Sequence, residues 1–199
     1  MKIMLAQIGK TVKDIILITS DFRRCLETAT ILYTELEVEA DLRIEEALRE
    51  RNFGDLEFSQ VDKYIRVWEN DIKDPSKPKF NEETVFSVAK RLQKLLTVLE
   101  NEYSNKVIIF VSHGDVLQIM TTMFMGRKPN EHREIPYLWN GSIRNMSDQA
   151  GDIIQKLKQL RKNKFFLVRH GQVRLLCISK LNLLLYKSRA HNHIPCLQL

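Results

Sequence analysis

With 199 residues, 44% of them hydrophobic and 28% charged, the chain has the make-up of a single globular domain, which excludes disorder along its whole length. Its formal net charge of +6 is uneven: residues 151–199 carry ten Lys or Arg against Asp152 alone, while the first 150 residues carry 21 basic and 24 acidic side chains. Three cysteines, Cys25, Cys177 and Cys196, are odd in number and lack metal-ligand spacing, which excludes a disulfide framework and predicts a reducing, cytoplasmic setting.

The apolar opening MKIMLAQIG is broken by Gln7, Gly9 and Lys10, too short and polar for a secretory segment, and no run approaches the length of a membrane span. IILI at 15–18 follows, short, apolar throughout and β-branched, as a strand covered on both faces should be. LETATILYTEL at 26–36 has helical periodicity, and a helix is expected near 59–70. DIKDPSKPKFN at 71–81, with two prolines and no period, predicts a loop, and a long amphipathic helix is expected from Glu82 to Tyr103. VIIFV at 107–111 is a second buried strand, followed by the helical DVLQIMTTMFM at 115–125, which Gly126 stops. DIIQKLKQLRK at 152–162 reads as a helix leading into a third strand, FFLV at 165–168. Strands alternating with helices predict an α/β domain with a mostly parallel sheet.

Residues 173–199 are leucine-rich, without an acidic side chain or a clear period, and form a tail with no assigned structure. The basic excess around it reads either as a patch for anionic partners or as the wet face of a helix bearing Lys156, Lys158, Arg161 and Lys162. Without interleaved aromatics it predicts neither a nucleic acid nor a membrane partner.

Each apolar run ends in a polar cluster: ITSDFRR at 18–24, VSHGD at 111–115 and VRHGQ at 168–172. Ligand sites of open parallel sheets form beyond the carboxyl ends of the strands, so the three clusters are expected to meet in one crevice. Ser20 and Asp21 read as caps for the helix that follows them. His132, His191 and His193 are expected on the surface, without partners.

VRHG at 168–171, SDFRRCLETA at 20–29, LRERNFGDLE at 48–57 and VSHG at 111–114 resemble four motifs of the histidine phosphatases, the phosphoglycerate mutase-like superfamily. The resemblance implies a three-layer α/β sandwich and a phosphomonoester hydrolase working through a phosphohistidine. His170 would be the nucleophile. Arg169 and Arg24 would hold the phosphoryl group, His113 would donate to the same oxygens, and Gly171 and Gln172 would line the phosphate site. Arg24 is preferred to the adjacent Arg23 for its spacing to Thr28 and Ala29. Glu50 would be the general acid and base, with Glu45 and Glu46 in reserve; that role needs a raised pKa, and so requires the flanking Arg49 and Arg51 to point away. No metal or other cofactor is implied. The substrate would be a small phosphorylated molecule or a phosphoprotein, selected by the loop 71–81 and by 123–140, including Arg127, Lys128, Tyr137 and Trp139. A mutase reading and a catalytically inactive phosphate-binding or scaffolding domain remain open alternatives, as does a homodimer.

The chain departs from the family in two ways. The Arg-His-Gly motif, which opens the domain in the family, lies behind the others at 169–171, as in a circular permutant with its domain at 1–172, or as in a fragment of a tandem duplication. The permutant requires the strand at 165–168 to insert into the middle of the sheet. After Gly171, QVRLLCIS replaces the family's polar continuation, so one phosphate contact is missing and weakened or absent catalysis is an expectation.

Overall fold

The computed structural model of the chain describes residues 2–146 and 162–171; the expected helix at 152–162, Gln172, and the tail with Cys177, His191, His193 and Cys196 lie outside them. In chain order the elements are α1 (Lys2–Gln7), β1 (Ile15–Thr19), α2 (Arg23–Leu36), β2 (Arg43–Ile44), α3 (Ile65–Lys73), α4 (Val85–Glu102), β3 (Val107–Ser112), α5 (Gly114–Met125), β4 (Ile143–Asn145) and β5 (Lys164–Arg169). The sheet order is β2-β1-β3-β5-β4. All neighbours are parallel except β4, which runs antiparallel to β5.

The three continuous apolar runs form the three inner strands, because each is buried on both faces and must be apolar at every position. Alternate residues point to opposite sides of the sheet. Ile16, Ile18, Ile108, Phe110, Phe165 and Leu167 pack with Leu92, Leu95 and Leu99 of α4 and Val116, Ile119 and Met120 of α5. Ile15, Leu17, Val107, Ile109, Phe166 and Val168 pack with Cys25, Ala29, Leu32 and Leu36 of α2 and with Leu5 of α1. The result is the expected α/β fold, a sheet with helices on both faces.

β5 comes last among the described strands yet lies inside the sheet, flanked by β3 and β4. Its six residues pair with all six of β3, from Val107 opposite Lys164 to Ser112 opposite Arg169. The central strand is β3 rather than β5. Both short edge strands went unforeseen, since two or three residues are too few to display a period.

Helix boundaries shifted for local reasons. α2 starts three residues earlier than its apolar pattern, at Arg23, because its first two residues are arginines, Arg23 exposed and Arg24 facing the crevice. α4 starts at Val85 after Thr84, whose hydroxyl caps it by accepting the Ser87 N–H at 3.1 Å. α5 ends at Gly126, with φ 68° in the left-handed region that favours glycine. α3 runs on to Lys73, three residues into the expected loop, because Asn70 and Asp71 are buried there.

Candidate active site

The carboxyl ends of β1, β3 and β5 are held in step by backbone bonds: Ser20 N–H donates to Val111 O at 3.0 Å and His170 N–H to Ser112 O at 3.1 Å. This register delivers Arg24, His113, Arg169 and His170 to one crevice. His113 directly follows β3, and His170 directly follows β5. Their rings lie 5.2 Å apart, centre to centre, inclined at 61°. Arg24 projects from the first turn of α2, and its Nε–H is shared between His113 Nδ1 at 3.1 Å and His170 Nε2 at 3.3 Å. The adjacent Arg23 instead pairs with Glu27 on the exposed face of the helix.

A guanidinium can only donate, so both imidazole nitrogens facing Arg24 present lone pairs. The proton of His113 therefore sits on Nε2, which faces Ser20 Oγ at 3.0 Å. Burial lowers the pKa of His113 to about 2, helped by the charge of Arg24 and the neighbouring His170. Burial, then Arg24 and Arg169, lowers that of His170 to about 4. Both rings are thus neutral at neutral pH.

Arg169 ends β5 with its Nη1 donating to Leu138 O at 3.1 Å and its guanidinium 4.6 Å above the Tyr137 ring. Its Nε is buried and has no hydrogen-bond partner among the described residues, a costly arrangement unless a ligand supplies an acceptor. Gly114 makes room for this group, because a Cβ there would sit 3.3 Å from the guanidinium carbon. Gly171 is adjacent, but its N–H is directed at Thr28 Oγ1, 3.4 Å away.

Glu50 belongs to an irregular segment pinned to the crevice by side chains of regular elements. Ser112 Oγ–H donates to Leu48 O at 2.7 Å, and Arg91 of α4 donates to Arg49 O at 2.9 Å. Farther along, Gly54 has φ 57° and passes so close to Phe80 O that a Cβ would collide with it. The arginines flanking Glu50 do point away: Arg49 pairs with Asp21 at 2.6 Å, and Arg51 pairs with Asp71 at 2.6 Å. Burial, reinforced by the nearby Asp115 carboxylate, raises the pKa of Glu50 to about 7. The reserve candidates are otherwise engaged, Glu45 with Arg43 and Glu46 with Arg49.

Three sequence expectations need correction. Neither Ser20 nor Asp21 caps α2, whose capping position is Phe22 without a side-chain bond; Ser20 is drawn to His113 and Asp21 to Arg49. His132 is fully buried rather than on the surface, with Nε2 3.8 Å from Asp71 and 4.0 Å from Asp115. It lies in the turn Pro129–Glu134, which packs on α5, a contact no local pattern announces. Of the two segments expected to select substrate, 123–140 lines the cavity beside the crevice through Arg133 and Tyr137, and 71–81 does not. That cavity, of about 1100 Å³, opens beside Arg24, Glu50 and Arg169 and is walled also by residues 46–68. Arg127 turns instead to Glu131 at 2.7 Å.

Asp115 and Trp68 escaped the sequence reading. The indole N–H of Trp68 donates to Asp115 Oδ2 at 2.9 Å, holding a buried carboxylate within influence of Glu50. The only available signal was the acidic residue closing VSHGD. Cys25, 3.4 Å from His113 Nε2, is buried with its thiol pKa pushed up to about 12 by desolvation, so it stays protonated. Among the described residues no group of three or more His, Cys, Asp or Glu side chains could hold a metal ion, and no helix is long and apolar enough to cross a membrane.

Comparison with known proteins yields a match to the model of the histidine phosphatase superfamily (branch 1) over residues 4–159. No curated protein matches. Among solved structures, mycobacterial hydrolase 2 is similar with a TM-score of 0.57 at 16% identity, over 89% of this chain and 78% of that one. Mycobacterial glucosyl-3-phosphoglycerate phosphatase is similar with a TM-score of 0.55 at 18% identity, over 65% and 69% of the two chains. The same enzyme with inorganic phosphate gives 0.54 at 17%, over 71% and 73%. At such identities the likeness is one of fold.

Proposed function

The chain belongs to the histidine phosphatase superfamily, branch 1, and on that premise we propose that it hydrolyses phosphomonoesters through a phosphohistidine at His170. The observation that supports this reading most is the Arg24 Nε–H bridging two neutral imidazoles at 3.1 and 3.3 Å, beside the partnerless Arg169 Nε. A cation whose hydrogen-bond partners among the described residues are two neutral rings is suited to an incoming dianion.

In the proposed reaction a phosphate monoester draws Arg24 and Arg169 onto its oxygens and frees the His170 Nε2 lone pair. Nε2 forms a bond to phosphorus as the ester P–O bond breaks, and protonated Glu50 gives its proton to the departing alkoxide. Water then attacks the phosphohistidine, Glu50 takes its proton, and inorganic phosphate leaves with His170 restored. His113 supports the transferred group as a donor once its proton shifts to Nδ1. Ser20 permits that shift, because a hydroxyl facing Nε2 can accept or donate. Three groups, Arg24, Arg169 and His113, two of them permanent cations, stabilise the developing charge.

The position of β5 between β3 and β4 favours the reading of the chain as a circular permutant, with the strand that bears the nucleophile moved to the far end. Glucosyl-3-phosphoglycerate phosphatase, similar in fold, supports a hydrolase acting on a small phosphorylated molecule. The test is to mix the protein with a radiolabelled phosphomonoester and quench in alkali, in which phosphohistidine survives. An alkali-stable, acid-labile label on His170, absent from His170→Ala, is expected; no label and no turnover would refute the proposal.

A further inference from the structure

The cavity beside the phosphoryl-binding end is lined by six arginines, and four of them are already neutralised. Arg49 pairs with Asp21 at 2.6 Å, Arg51 with Asp71 at 2.6 Å, Arg91 with Glu83 at 2.9 Å and Arg133 with Asp115 at 3.7 Å. Arg24 and Arg169 have no carboxylate within ion-pairing distance among the described residues, so the cations left over suffice for one phosphoryl group. Glu46 and Glu57 also face the cavity. A second anionic group on the substrate would have to break a formed ion pair or lie near a carboxylate, both unfavourable.

Six aromatic side chains, Phe22, Phe53, Phe58, Tyr64, Trp68 and Tyr137, also line the cavity. Phe22 meets the His113 ring edge-on at 5.2 Å and carries the Arg24 guanidinium 5.0 Å from its centre, while Tyr137 lies under Arg169. Phe53 and Tyr64 stack at 4.0 Å and 9°, leaving one face of the Tyr64 ring for another partner. Phe58, on the same cavity, is 100% exposed and held at φ 60°, a left-handed conformation that is costly for a bulky residue. A strained backbone that presents a bare ring at the mouth of a cavity points to a ligand that covers it.

We propose that this cavity selects phosphomonoesters whose leaving group is an uncharged aromatic ring, received against Phe58 and Tyr64 while Arg24 and Arg169 hold the phosphoryl group. The proposal rests on the preceding reading only for which end binds phosphate. An aromatic leaving group gains ring contacts and buried area that a small polar alcohol cannot make. Phosphoglycerates, with a carboxylate beside the ester, meet no spare cation.

Binding of stable phosphonates by calorimetry separates selectivity from catalysis. Benzylphosphonate is expected to bind about tenfold more tightly than methylphosphonate, and 3-phosphonopropionate no more tightly than methylphosphonate. Phe58→Ala should narrow the benzyl-to-methyl ratio. Equal affinities, or tightest binding of 3-phosphonopropionate, would overturn the inference, and binding of no phosphonate would overturn it together with the proposed function. Turnover of benzyl phosphate is measured alongside: ring-selective binding without turnover sustains the inference and refutes the hydrolase. Turnover without ring-selective binding does the reverse.

Discussion

The imidazole rings of His113 and His170, carried on neighbouring parallel strands, lie 5.2 Å apart and are both held neutral. A neutral ring has a lone pair for phosphorus, whereas an imidazolium has none, so the depressed pKa values keep the candidate nucleophile armed well below neutral pH.

The pH dependence of hydrolysis follows from two groups of opposite requirement. His170 must be unprotonated, and its pKa is lowered to about 4; Glu50 must be protonated for the first step, and its pKa is raised to about 7. For an alkyl phosphate, kcat/KM is expected to rise with pH through the acid limb near 4 and to fall above about 7. Glu50→Gln should cost about 100-fold or more with a poor leaving group and less with a nitrophenolate, which needs no proton. A loss equal for both substrates would count against Glu50 as the acid.

Stability should also report the buried His113. Its folded pKa of about 2 lies below the ordinary 6.5, so its contribution is complete above pH 6.5 and is lost as pH falls toward 2. At pH 5 the loss assigned to this ring is about 2 kcal/mol. Glu50 works in the opposite sense, its raised pKa adding stability below 4.5 that disappears as pH rises through about 7. Urea unfolding at pH 7.5, 6 and 5 should therefore show His113→Asn losing less stability on acidification than the parent chain. Parallel declines would contradict a buried neutral ring.

Arg51 and Asp71 form a bidentate pair at 2.6 and 2.8 Å with both side chains buried. Removing one partner strands the other charge in the interior, so Asp71→Ala should lower stability by about 3 to 5 kcal/mol. The double substitution Arg51→Met, Asp71→Leu should recover much of that loss. Thermal and urea unfolding decide it, and additive losses in the double variant would argue against coupling between the two charges.

Gly114→Ala separates binding from folding. The new Cβ would meet the far end of the Arg169 side chain at 3.3 Å, an atom that can swing aside, so the melting temperature should change little. Displaced from its place, Arg169 should lose its grip on phosphate, and affinity for inorganic phosphate or vanadate is expected to fall about tenfold. Unaltered affinity would show that Arg169 is not a phosphate ligand.

Sequence alone determined the three inner strands, since VIIFV and its two counterparts must be apolar at every position to sit between two helical layers. It also determined that each of these strands ends in a polar cluster, and so which arginines and histidines belonged to one crevice. It could not supply β2 and β4, too short for a period, or the burial of His132, which depends on a turn packing on α5. Only tertiary structure decided that β5, last of the described strands, pairs beside β3, because strand partnership is set by hydrogen bonding and face burial across long separations. The same holds for Glu50. Its neighbours in sequence are two arginines that would lower its pKa, yet burial and the Asp115 carboxylate beside it in space raise that pKa, because Asp21 and Asp71 draw those arginines away. Charge acts through distance in the folded chain, and that distance is a tertiary quantity.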